Sequence, residues 1–169
     1  MMQSKIKAWL RAWLPYVAVM VLLFWGVNAW RARDVPNLAP DWQASTVNGD
    51  ATSLTQIRAL YPNQTIALIF WAEWCPICRT EEGSISNLTQ DKTLAFIPIA
   101  TQSGNAQNVR RIFKERGLNW NAVVDESGEI FRSYQLVGVP AFIVINPDGT
   151  VRNVQTGYTS EAGMRLRMR

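Results

Sequence analysis

The chain has 169 residues, a formal charge of +4, two cysteines and no histidine, a length that suits one ordinary domain with short extensions. The basic excess is local: Lys5, Lys7, Arg11, Arg31 and Arg33 precede any acidic residue, while from Asp34 onward twelve basic residues face thirteen acidic ones. The main domain has no basic surplus to offer nucleic acid, so that class of partner is excluded.

Residues 1–12 form a short basic segment, read as cytoplasmic. Residues 13–30, "WLPYVAVMVLLFWGVNAW", carry no charge, which is near the lower limit for crossing a bilayer as a helix. Trp9 and Trp13 at one end, and Trp25 and Trp30 at the other, match the positions of interfacial aromatic belts. Pro15 falls in the first turn, where a helix tolerates it. A transmembrane anchor is therefore expected over 13–30. The same stretch also fits a cleavable signal peptide, with "VNA" ending at Ala29 as its cleavage site; the flanking tryptophans favour the anchor. Lys5, Lys7 and Arg11 hold the N-terminus inside and send everything after Trp30 outward. The expected location is a bacterial inner membrane crossed once, with the main domain in the periplasm, an oxidising compartment. A linker with Pro36 follows at 31–36, and the domain proper is set at 37–169.

Within that domain, 42–47 reads as a strand, "NGD" at 48–50 as a turn and 52–54 as a short partner strand, giving an N-terminal β-hairpin. A helix follows around 56–60. "TIALIF" at 65–70 is an apolar run of β formers, a strand buried on both faces. Cys75 comes five residues later, and Pro76 suits the first position of a helix running to about residue 88. Strands at 93–100, 121–125, 141–146 and 150–155 are expected, with helices at 105–116, 127–134 and 159–169. Strands alternating with helices, closed by a hairpin and a helix, imply an α/β sandwich with a mixed central sheet.

Cys75 and Cys78 are the only thiols. A closed zinc site needs four Cys or His ligands, so zinc is excluded unless a partner supplies the rest. A structural staple is disfavoured, because a disulfide across one helical turn constrains little of the unfolded chain. Copper(I) accepts soft thiolates and remains a possible ligand. The redox reading has geometry behind it: unpaired N–H groups and the positive dipole end at a helix start favour a thiolate at Cys75. Cys78, one turn on, is placed to attack a mixed disulfide.

"FWAEWCPIC" (70–78) and "GVPAFIVINPDG" (138–149) together resemble thioredoxin, with the resemblance extending over about 37–169. "NLAPDWQASTVNGDATSL" (37–54), and the extra helix and strand before the proline, resemble more specifically the membrane-anchored TlpA/ResA/CcmG group. The anchor, "CPIC" and the trailing "RTEEGSI" look most like ScsD-type proteins linked to copper tolerance. The resemblance implies a thioredoxin-like fold with an N-terminal β-hairpin and a central insert, and a thiol–disulfide oxidoreductase cycling Cys75–Cys78. It implies a cis peptide at Val139–Pro140 packed beside Cys75, pairing through its backbone with substrate, and Trp74 bordering the site; Trp71 reads as core. Thioredoxin's buried aspartate is replaced here by Ile69. Glu81 matches a glutamate of the TlpA/ResA-like group and would take the Cys78 proton if buried; otherwise it is a solvated residue like Glu82. Glu73 reads as surface.

No cofactor is implied. Implied partners are a disulfide-bearing exported protein, in metal tolerance or cytochrome c maturation, and a transmembrane thiol donor of the DsbD or ScsB kind. A reductase is the expected direction. The competing readings are a disulfide oxidant, a copper(I)-binding module on the same two thiolates, and a docking protein that needs neither cysteine.

Overall fold

Alternation along the core strands organises the domain. In the computed structural model, which describes residues 13–27 and 35–169, β3 (Ile66–Trp71) is buried at every position. Its odd-numbered residues face one layer and its even-numbered residues the other. Parallel to it runs β4 (Ala95–Thr101), and antiparallel on its other side runs β6 (Ala141–Ile145). The sheet is completed by β1 (Gln43–Thr46), β2 (Ala51–Ser53), β5 (Val123–Asp125) and β7 (Val151–Thr156), in the order β2-β1-β5-β4-β3-β6-β7. It is a mixed sheet: β3, β4 and β5 are parallel, and the remaining pairings are antiparallel.

One layer packs Ile69, Trp71, Phe96 and Phe142 against three helices, α3 (Pro76–Gln90), α4 (Ala106–Arg116) and α6 (Glu161–Met168). The other packs Leu68, Phe70, Ile99 and Ile143 against α2 (Leu54–Leu60) and α5 (Glu129–Ser133). Helix α4 begins where Asn105 caps the amide of Asn108 and stops where Gly117 takes φ +67. These elements give the thioredoxin-like α/β fold with its hairpin β1–β2. The strand expected from 42 starts at Gln43, and the helix expected from 56 starts at Leu54, because the Ser53 hydroxyl accepts the Gln56 amide as its cap.

The chain divides into two compact units, 1–33 and 34–169. In the first, residues 13–27 form helix α1. Among the described residues no helix is long and apolar enough to cross a membrane. The full span expected over 13–30 is thus not seen: the described helix falls short of the ~20 apolar residues a crossing needs, and residues 28–30 lie outside the described ones. Residues 1–12 and most of the linker at 31–36 also lie outside them. At the start of the second unit, the Ala39 amide donates to the Gly149 carbonyl and the Val151 amide to that of Asn37, tying the segment to the β6–β7 turn.

Candidate active site

The register of β3 and β6 brings two distant segments together. Phe70 lies opposite Ala141, so the chain leaving β3 and the chain entering β6 share one end of the sheet. After β3, residues 72–74 lead to Cys75, which is the N-cap of α3 with Pro76 in the first turn, a position needing no amide donor. The Cys78 amide donates to Cys75 Sγ at 3.1 Å. This is a helix-end environment that stabilises a thiolate once the bond is opened. Cys75 and Cys78 are joined as a disulfide, with Cα atoms 5.2 Å apart. Cys75 is 4% exposed and Cys78 0%, so a partner's sulfur can meet only Cys75.

The Val139–Pro140 peptide is cis, and the Val139 carbonyl oxygen lies 3.6 Å from Cys75 Sγ. Pro140 is buried and Val139 half-buried. Trp74 is exposed beside Cys75, its indole N–H donating to the Gln102 carbonyl at 3.1 Å. Trp71 points the other way, into the core, edge-on to Phe113 and Trp120. Ile69, where thioredoxin has an acid, is part of the same apolar layer.

The two readings of Glu81 are separated by its surroundings. Its side chain is completely buried, on the face of α3 that carries Cys78. Oε1 accepts the Thr159 amide at 2.5 Å, while Oε2 has no hydrogen-bond partner among the described residues. Burial pushes its pKa up to about 7, the Thr159 amide opposing the shift. A carboxyl near neutrality one turn from Cys78 can hold or release a proton there. Glu82, by contrast, is ion-paired with Arg116 at 2.7 Å. Glu73 is half-buried rather than open surface, 4.0 Å from the same guanidinium.

Three residues that sequence reading passed over shape this region. Thr159 supplies the amide that meets Glu81. Arg116 reaches the loop before Cys75. Buried Asp125 accepts the Thr101 hydroxyl and the amides of Ile130 and Phe131, fixing the end of β4 to α5. Asp125 carried a weak signal, an acid opening "DESG" before a helix; the others carried none.

A thioredoxin-like fold presenting a C-x-x-C disulfide at a helix start, with a cis-proline turn against it, defines the thiol–disulfide oxidoreductase class. The family model described as AhpC/TSA matches residues 35–154, and the chain belongs to that family. Sporulation thiol-disulfide oxidoreductase A of Bacillus subtilis (strain 168) is 23% identical over 150 residues, spanning 84% of this chain and 87% of the relative. Thiol-disulfide oxidoreductase ResA of the same organism is 26% identical over 126 residues, 73% of this chain and 68% of the relative. The crystal structure of a secreted Mycobacterium tuberculosis disulfide oxidoreductase, described as homologous to E. coli DsbE, is similar with a TM-score of 0.61. That match is 26% identical and covers 75% of this chain and 93% of the other. The relatives and structural neighbours are thiol–disulfide oxidoreductases, and this chain is an enzyme of that class.

Proposed function

We propose that the chain is a membrane-tethered, periplasmic protein disulfide reductase. The observation that carries this reading is the asymmetry of the pair: Cys75 touches the surface at a helix start, and Cys78 lies sealed behind it with a buried carboxyl on its face. In the dithiol form the Cys75 thiolate attacks one sulfur of a partner disulfide, forming a mixed disulfide and releasing the partner's other sulfur as thiolate. Cys78 gives its proton to Glu81 and attacks Cys75 Sγ. The partner leaves with both sulfurs reduced, and Cys75–Cys78 is oxidised by two electrons. Val139 and Trp74 border the place where the partner chain would lie.

The uncharged tryptophan-flanked run at 13–30 and the basic residues before it support the tether and its orientation. The resemblance to the TlpA/ResA/CcmG group supports the reducing direction and a transmembrane thiol donor of the DsbD or ScsB kind. The ScsD-like features support a metal-tolerance partner ahead of an apocytochrome c.

The test is a trapping experiment in the full chain. Cys78→Ser should accumulate a mixed disulfide through Cys75, and Cys75→Ser should accumulate none; trapping through Cys78 would reverse the roles. A reduction potential below about −200 mV supports a reductant, and one near about −120 mV would make the protein an oxidant.

A further inference from the structure

Helix α4 ends in a side chain that spans the redox turn. The Arg116 guanidinium donates to Glu82 Oε1 at 2.7 Å and to the Glu73 carbonyl at 3.1 Å, and lies 4.0 Å from the Glu73 carboxylate. Its carbon sits 5.6 Å from the centroid of the Trp71 ring, and its side chain is only 20% exposed. Glu73 precedes Cys75 by two residues and Glu82 follows Cys78 by four, so one planar fork grips the chain on both sides of the pair. Arginine suits this place because its donors diverge in a fixed plane that a lysine ammonium does not reproduce.

We propose that Arg116 is a positioning residue for the redox pair: it clasps Glu73 and Glu82 and offsets one of their two negative charges, so that Cys75 stays readily ionised when the disulfide is open. The proposal rests on Cys75 being the attacking thiol. A carboxylate just before the helix start and another in its second turn oppose the positive end of that helix, and both disfavour a thiolate formed there. With the guanidinium between them, the local charge falls from two negatives to one, and that one is held in a fixed place.

Other charged groups stand on the elements around the pair: Arg110, Arg111, Lys114 and Glu115 share α4 with Arg116, Arg111 and Glu115 being paired with each other, and Arg167 stands on α6. Arg79 is exposed on the first turn of α3, and Glu81 is buried behind Cys78. Tyr158 is exposed at the corner between β7 and α6. Glu161 and Arg165 of α6 are paired with each other. Strand β6, residues 138–140 and residues 102–105 carry no charge. Arg116 is therefore the cation bonded to both flanking acids.

The experiment follows the pH dependence of iodoacetamide alkylation of Cys75 in the reduced full chain, with the modified residue identified by mass. Arg116→Met should slow alkylation at neutral pH about fivefold and move the midpoint upward, the size expected for losing one screened charge near the protein surface. Adding Glu73→Gln and Glu82→Gln to that variant should restore alkylation to the wild-type rate or above it, since no flanking charge then remains. An unchanged Arg116→Met profile, or a slowed one that neutralising the acids does not restore, would overturn the proposal. Should Arg116→Met not fold, Glu73→Gln with Glu82→Gln on the intact Arg116 chain should speed alkylation, and no acceleration would overturn it equally. Wild-type protein that forms no mixed disulfide through Cys75 would instead refute the assignment of the attacking thiol, whatever Arg116 does.

Discussion

Replacing Glu81 by glutamine tests the site through stability, without turnover. The chain has no histidine, so in the oxidised protein few groups other than Glu81 titrate between pH 5 and 8. Its pKa is raised from 4.5 to about 7. Between those values the folded protein holds a proton that the unfolded chain has released, so stability falls as pH rises through the window. At ~1.4 kcal/mol per pH unit the loss amounts to about 2–3 kcal/mol by pH 8. Glu81→Gln keeps an acceptor for the Thr159 amide and nearly the same volume, but cannot ionise. Its stability, read by urea denaturation of the disulfide form, should therefore stay flat from pH 5 to 8 while the wild type declines. At pH 8 the variant should stand ~2–3 kcal/mol better, relative to wild type, than at pH 5. Parallel profiles for the two proteins would show that Glu81 does not titrate in this range, and the proton route through it would fall.

Two further substitutions address other parts of the structure. Trp74→Ala removes the exposed ring that Gln102 holds beside Cys75, and should raise KM for a disulfide-bearing protein severalfold with kcat nearly unchanged; a pure kcat effect would place Trp74 in the chemistry instead. Asp125→Ala strands two amides and a hydroxyl around a position only 3% exposed. It should cost about 3 kcal/mol in urea denaturation, and a loss under about 1 kcal/mol would mean that water replaces the carboxylate.

The strands were readable where burial on both faces wrote an unbroken apolar run, as in β3, and the helices where a cap marked them, as Asn105 and Gly117 mark α4. Boundaries moved where side chains competed with the pattern. The 121–125 stretch starts its strand only at Val123, because Asn121 is engaged with Asn48 and the Ala122 carbonyl takes the Val47 amide. At the site, Cys75, Pro76 and Pro140 are legible since each acts through its own backbone position. The environment of Glu81 is not, because the amide that bonds it belongs to Thr159, 78 residues away. Arg116 is equally silent: its partners lie 34 and 43 residues back, and nothing in "FKERG" separates it from the other cations of α4.

The site's parts are also spread along the order of synthesis. Cys75 and Cys78 are made long before Val139, whose carbonyl lies 64 residues further on, and before Thr159. Strand β6 inserts between β3 and β7, so the sheet closes around the cysteines only when the last third of the chain has arrived. Until then the growing polypeptide carries a bare dithiol with no proline turn against it and no amide on its carboxyl. A chain stopped short of residue 159 would hold reactive sulfur without the groups that govern it. Competence comes only past the final hairpin, when Thr159 has arrived.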